Sequence, residues 1–87
     1  MKEVLIFGSG SIGNHLANAC RKLDLSVSVT DISLKALLRM KNKIYPSRYS
    51  KWDNKIKLID YSEVFRLKKN FDLILIGTPP STHLDLT

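Results

Sequence analysis

Hydrophobic positions fall into short runs separated by longer stretches in which they recur every three or four residues. Lys2–Phe7 carries Val4-Leu5-Ile6-Phe7 without a break, and Asp72–Ile76 carries Leu73-Ile74-Leu75-Ile76. Uninterrupted runs of this length, bounded by polar residues or glycine, predict strands covered on both faces. Ser26–Asp31 sets Val27 and Val29 between Ser26, Ser28 and Thr30, which predicts a strand buried mainly on one face. Lys55–Ile59 predicts a shorter strand whose apolar run is broken by Lys57, as suits a sheet edge. Helical spacing links these runs. Ile12, Leu16, Cys20 and Leu23 make one stripe over Ser11–Leu23. Ser33 is placed to cap a second helix through Leu34, Leu37 and Leu38 to about Lys43. Pro46 is expected to end it, leaving Tyr45–Asn54 as a polar, aromatic connection. Asp60-Tyr61-Ser62-Glu63 has the spacing of a capping box opening a short helix to about Lys69.

Strand and helix alternate throughout, which predicts an α/β fold with a parallel sheet. The two unbroken apolar strands are the first and fourth, and the more polar are the second and third. That ranking matches the doubly wound order 3-2-1-4, with the third strand outermost. Gly77–Thr82 reads as a loop and Thr82–Thr87 as the first turn of another helix. A fourth strand this apolar asks for cover on both sides. The 87 residues are therefore expected to be the N-terminal portion of a longer domain, truncated after strand four. No internal repeat or low-complexity tract divides them.

The turn after the first strand carries the chemistry. Leu5-Ile6-Phe7 runs into Gly8-Ser9-Gly10-Ser11-Ile12-Gly13, a Gly-x-Gly-x-x-Gly that leaves a strand and opens a helix. Gly8 permits the tight turn, Gly10 lets backbone approach a pyrophosphate, and Gly13 lets the helix lie against the sheet. The amides at the helix start then face the anion. Asp31, closing the second strand 18 residues after Gly13, is placed to accept hydrogen bonds from an adenosine ribose. A Gly-x-Gly-x-x-Gly alone is weak. With the strand before it, the helix after it and the acid in place, it predicts a dinucleotide site at Gly8, Ser9, Gly10, Ser11, Ile12, Gly13 and Asp31.

Charge and composition narrow the alternatives. Apolar content of 44% and charged content of 25% are those of a globular domain, and no apolar run nears bilayer-spanning length. The N-terminus moves directly into a strand with no secretory h-region, so a cytoplasmic location is expected. The single cysteine, Cys20, excludes an internal disulfide, lies on the apolar stripe and reads as a small buried hydrophobe. Net charge is +6, and eight of the basic residues crowd between Lys35 and Lys57 with Tyr45, Tyr49 and Trp52 among them. No nucleic-acid motif accompanies them, so the expectation is a solvated helix face and loop, open to an anionic partner. His15 has no visible partner.

Ile76-Gly77-Thr78-Pro79-Pro80-Ser81-Thr82-His83-Leu84-Asp85-Leu86 resembles the second hallmark of the glucose–fructose oxidoreductase/inositol dehydrogenase (Gfo/Idh/MocA) family. In that family a Thr-Pro loop after the fourth strand precedes a histidine four residues beyond the proline. Thr78, Pro79, His83 and Leu86 match it, and the glycine turn matches the first hallmark. The resemblance covers the front of the family's Rossmann-type NAD(P)-binding domain. It implies that Thr78, Pro79 and His83 line the ribose and nicotinamide part of the cofactor. It also implies an oxidoreductase moving hydride between the nicotinamide and a sugar, sugar nucleotide or polyol derivative. The family's catalytic lysine lies in a Glu-Lys-Pro segment that does not occur here, so no catalytic residue is expected in this chain, and alone it is expected to be inactive.

Asp31 favours free ribose hydroxyls and repels a 2′-phosphate, and no arginine adjoins it, so NAD is expected over NADP. Lys35 and Arg39 keep the second open. A regulatory nucleotide-sensing domain and a non-enzymatic scaffold are the other readings, and Thr78-Pro79 with His83 argues against the former. Neither a nucleic-acid nor a membrane partner is expected. Homo-oligomerisation and substrate identity stay open.

Overall fold

The computed structural model describes residues 2–67 and 71–77. Four strands, β1 (Glu3–Phe7), β2 (Ser26–Asp31), β3 (Lys57–Asp60) and β4 (Leu73–Ile76), form one sheet in the order β3-β2-β1-β4. Every pairing is parallel, with Val4 opposite Val27 and Leu73, and Val29 opposite Leu58. The Rossmann-like α/β order expected from the apolar ranking of the strands is the order found. Where β1 and β4 begin, the Asp72 N–H donates to the Glu3 carbonyl and the Glu3 N–H donates to the Asp72 carboxylate, each at 2.8 Å.

Side chains alternate across the sheet. Val4, Ile6, Val27 and Val29 point to one face, into a core with Ala17, Cys20, Leu37, Met40, Tyr45 and Ile56. That face is covered by α1 (Ser11–Lys22), α2 (Leu34–Arg39), a π-helical turn (Met40–Ile44) and α3 (Tyr45–Tyr49). The other face carries Phe7, whose ring meets Tyr61 edge-on at 6.3 Å. Tyr61 opens α4 (Tyr61–Leu67), which lies over β3 and β2. Ser28 and Thr30 are buried on this face, so β2 is covered on both sides and not mainly on one. An interior strand under a helix has little room there, and short hydroxyl side chains fit.

The buried side of α1 also differs from the apolar stripe. Gly13, Asn14, Ala17 and Cys20 face inward, whereas Leu23 is 72% exposed and Ile12 46%. Close approach of helix to sheet selects small residues, so the seam follows them rather than the large hydrophobes. On α2 only Leu37 of the three leucines is buried, and Met40 and Tyr45 continue its face.

Pro46 does not end this helical segment. Three helical pieces follow one another from Leu34 to Tyr49. Proline lacks an N–H and crowds the carbonyl four residues back. The wider π-turn just before it accommodates the ring, and Pro46 sits in the first turn of α3, where its missing donor costs least. The chain leaves α3 at Ser50, φ 77°. The third strand begins two residues later than expected, at Lys57. The capping box on α4 is half formed. The Ser62 N–H donates to the Asp60 carboxylate at 3.3 Å, but Glu63 turns to Arg66 at 3.5 Å.

Candidate functional site

The ends of β1, β2 and β4 converge on the start of α1. Gly8 takes φ 109°, a conformation reserved largely for glycine, and its N–H donates to the Thr30 carbonyl at 2.8 Å. A Cβ on Gly13 would stand 2.0 Å from the Gly8 carbonyl oxygen. The third glycine is thus required by the turn itself, more than by packing against the sheet as a whole. A Cβ on Gly77 would stand 2.8 Å from Gly13 Cα and 2.9 Å from Gly13 N. Gly77, which the motif does not include, lays the end of β4 on the glycine turn, and its N–H donates to the Phe7 carbonyl at 2.7 Å. Its position after a strand matched by a second strand ending in glycine was the available signal for it. A Cβ on Gly10 would meet nothing within 4 Å, so that space is open toward a ligand.

Beside these glycines lies a cleft of about 310 Å³, lined by Gly8, Gly10, Ser11, Ile12, Asp31, Ala36 and Gly77. That is the low end of the range for small-molecule sites, and its place beyond the carboxyl ends of the strands is where open α/β sheets bind ligands. The exposure of Ile12 is explained by its place in this wall.

Asn14 holds the turn in shape. Its buried amide donates to the Ser9 carbonyl at 2.9 Å and the Gly10 carbonyl at 2.7 Å, and its backbone N–H to Gly10 at 2.9 Å. That last bond is the first of the helix, so the amides of Ser11, Ile12 and Gly13 lie ahead of the ladder and are placed to meet an anion. The Asn14 side-chain oxygen and the Thr30 hydroxyl are buried with no partner among the described residues.

Asp31 is already engaged. One carboxylate oxygen accepts from the Ser9 N–H and hydroxyl, both at 2.9 Å, and the other from the Ser33 N–H at 2.9 Å. A carboxylate offers about four acceptor sites. One remains, and a second is freed if the Ser9 hydroxyl rotates away. Ser9, almost fully buried, therefore serves Asp31 rather than the cleft. The structure thus brings together Gly8, Gly10, Ser11, Ile12, Gly13 and Asp31, with Ser9 behind them. Thr78, Pro79 and His83 lie outside the described residues, as do Pro80 and the expected turn over Thr82–Thr87.

Ser33 caps α2, its hydroxyl accepting from the Ala36 N–H at 3.2 Å. Arg48 reaches back from α3 to Ser11, donating to its carbonyl at 3.1 Å and its hydroxyl at 2.7 Å. Within the basic segment, nothing in its spacing distinguished this arginine.

A larger cleft, about 500 Å³, lies toward the other end of α1 between Asn18, Arg21, Tyr45, Tyr49, Trp52, Asp53 and Lys55. Its groups serve one another. The Tyr45 ring meets that of Tyr49 at a tilt, centroids 4.7 Å apart, and that of Trp52 edge-on at 5.2 Å. Arg21 pairs with Asp53 at 2.9 Å and donates to the Leu25 carbonyl. Burial alone would raise the Asp53 carboxyl, but the Lys55 N–H, the Arg21 hydrogen bond and the charges of Arg21 and Lys55 outweigh it and hold the group below its ordinary value. The aromatics amid the basic residues are thus packed together. Burial pushes the Cys20 thiol up, as suits a core residue. His15 is exposed. Among the described residues no helix is long and apolar enough to cross a membrane, and no cluster is suited to a metal.

Comparisons with protein-family models, with curated proteins and with solved structures give no match to this chain.

Proposed function

We propose that the cleft binds NAD, and that the chain is the cofactor-binding front of an oxidoreductase acting on a sugar, sugar nucleotide or polyol derivative. The observation that carries the reading is the juxtaposition of two different recognition elements across one cleft. On one side is a glycine-built turn with the first amides of a 12-residue helix; on the other is the Asp31 carboxylate. A diphosphate suits the first and a ribose diol the second. The open space at Gly10 supports close approach of the diphosphate to backbone. When bound, the nicotinamide gives or takes the hydride. The residues of this chain hold and orient it. Ser11, Ile12 and Gly13 offer amides, Asn14 keeps the turn shaped for them, and Asp31 exchanges its bond from Ser9 for one from the ribose. The substrate class comes from the resemblance of Thr78, Pro79 and His83 to the Gfo/Idh/MocA hallmark.

Calorimetric titration with NAD and NADP tests the cofactor. NAD is expected to bind the more tightly. Replacing Asp31 by Ser is expected to weaken NAD and to narrow its advantage over NADP. An unchanged ratio removes Asp31 from the ribose site. Turnover on a panel of sugars and polyols, measured on the full-length protein, tests the reaction; tight binding without turnover on any of them favours nucleotide sensing.

A further inference from the structure

We propose that the Ser9 hydroxyl competes with the ribose for Asp31, and so sets how tightly and how selectively the cleft holds a free cis-diol. The inference rests on the dinucleotide reading above and adds to it a positioning residue that acts through Asp31.

Acceptor sites on Asp31 are scarce. A carboxylate offers about four. One oxygen takes the Ser9 N–H and the Ser9 hydroxyl, and the other takes the Ser33 N–H, all at 2.9 Å. One site is left. A cis-diol brings two O–H donors. Its first hydroxyl has a place, and its second reaches the carboxylate only by displacing a donor. The two N–H groups are fixed in the main chain, so the donor that gives way is the Ser9 hydroxyl. It does not give way freely. Ser9 is 1% exposed, and its hydroxyl donates to Asp31 and to no other acceptor among the described residues. Turned away, that hydroxyl is a buried donor without a partner, which offsets much of what the second ribose bond contributes.

The carboxylate does not need this hydroxyl to keep its place. The Ser9 and Ser33 N–H groups hold one oxygen each. The turn is held through the Ser9 carbonyl, which accepts from the Asn14 amide at 2.9 Å. Ser9 is not among the residues of positive φ, so alanine fits its backbone. Nor does Ser9 line the cleft, so its hydroxyl bears on a ligand through Asp31. Removing that one oxygen opens an acceptor site and leaves the carboxylate, its charge and the turn in place. A free ribose gains from this. A ribose deoxygenated or phosphorylated at its 2′ position has no second hydroxyl to offer. Loss of the Ser9 hydroxyl therefore acts on selectivity in the sense opposite to loss of the Asp31 carboxylate.

The test is calorimetric titration with NAD, NADP, adenosine and 2′-deoxyadenosine on the full-length protein, its Ser9→Ala and Ser9→Gly variants, and Ser9→Ala combined with Asp31→Ser. Ser9→Ala is expected to bind NAD and adenosine about fivefold more tightly, the size of one net hydrogen bond. NADP and 2′-deoxyadenosine are expected to stay within about twofold, so the preference for NAD widens. On the Asp31→Ser background the same change is expected to do nothing, because the acceptor it frees is gone. Unchanged or weaker binding of NAD and adenosine by a Ser9→Ala protein of normal melting temperature overturns the proposal. So does a gain shared equally by 2′-deoxyadenosine, or one that persists without the Asp31 carboxylate. If Ser9→Ala does not fold, Ser9→Gly is read in its place, and failure of both to fold overturns the proposal by making the hydroxyl structural. Each of these outcomes leaves NAD binding by the wild type intact. If neither wild type nor Ser9→Ala binds any of the four ligands, the cofactor reading fails and this inference with it; binding by Ser9→Ala alone supports both.

Discussion

Three glycines of the site differ in what a methyl group would do to them. At Gly13 it would collide with the Gly8 carbonyl at 2.0 Å, and at Gly77 with Gly13 backbone at 2.8 Å. Neither obstacle is a side chain that can turn aside. Gly13→Ala is therefore expected to lower unfolding free energy by more than about 3 kcal/mol, enough to compromise a small domain. Gly10→Ala meets open space at a φ of −81°, so it is expected to fold within about 1 kcal/mol of wild type and to bind NAD poorly. Urea unfolding and NAD titration of the two variants separate the effects; a Gly10 variant that binds normally removes that glycine from the ligand path. Asp53 is held below its ordinary pKa, so its stabilising share is complete above about pH 4 and is lost as pH falls through its lowered value. Asp53→Asn is expected to cost about 1 kcal/mol at pH 7, with the difference from wild type shrinking below about pH 4. A difference constant from pH 7 to pH 3 would count against the Arg21 pair as its source. At this scale the motif glycines and Asp31 were legible, because turn chemistry is local. Asn14, Gly77 and Arg48 were not, because each acts through a partner fixed only by the fold: Arg48 meets Ser11 across 37 positions of sequence.

The helical segment from Leu34 to Tyr49 shows how one element's interior can set another's reach. Its π-turn holds one residue more than an α-helical turn would. Inserting an alanine after exposed Asn42 adds a residue beyond the one the π-turn already absorbs, and is expected to rotate everything after it by about 100°. Tyr45 would leave the core and Arg48 would leave Ser11, so stability is expected to fall by about 3 kcal/mol or more. Thermal unfolding with tyrosine and tryptophan fluorescence checks it; an unchanged transition would show that α3 docks independently of the turn. β1 was legible because burial on both faces selected an unbroken apolar run; the second covered face of β2 was not, because it is filled by Ser28 and Thr30. The inward side of α1 was not, because contact distance chose Ala17 and Gly13 over Leu23. Pro46 misled for a related reason: its helix-breaking tendency is judged against α-helical spacing, and the turn before it is wider.

Across the whole molecule, apolar cover is uneven. β1 and β2 are buried on both faces, whereas Leu73, Ile74 and Ile76 of the edge strand β4 are about half exposed. Ile74 and Ile76 share a face with Phe7, away from the main core. An open apolar edge invites pairing. The chain is expected to self-associate at micromolar concentration, and Ile74→Lys is expected to reduce that association with little loss of stability. Sedimentation at several concentrations checks it, and a monomer throughout would show that this face does not drive association. The sheet order was legible at this scale from the alternation of strand and helix, although the unbroken apolar run of β4 stands at the edge of the described sheet and the more polar β2 inside it.

Gly8, Gly13 and Gly77 rest on one another main chain to main chain, and the bonds from Gly8 to Thr30 and from Gly77 to Phe7 fasten this column to three strands. A column made of backbone has no rotamers and no rim that can fray. Its amides reach solvent only when the sheet itself opens. In hydrogen–deuterium exchange the Gly8 and Gly77 amides should therefore be among the last to label, at the rate of global unfolding, although they border a cleft. The floor of the pocket would then report on the stability of the fold, while whatever occupies it registers first in the exposed amides of Ser11 and Ile12.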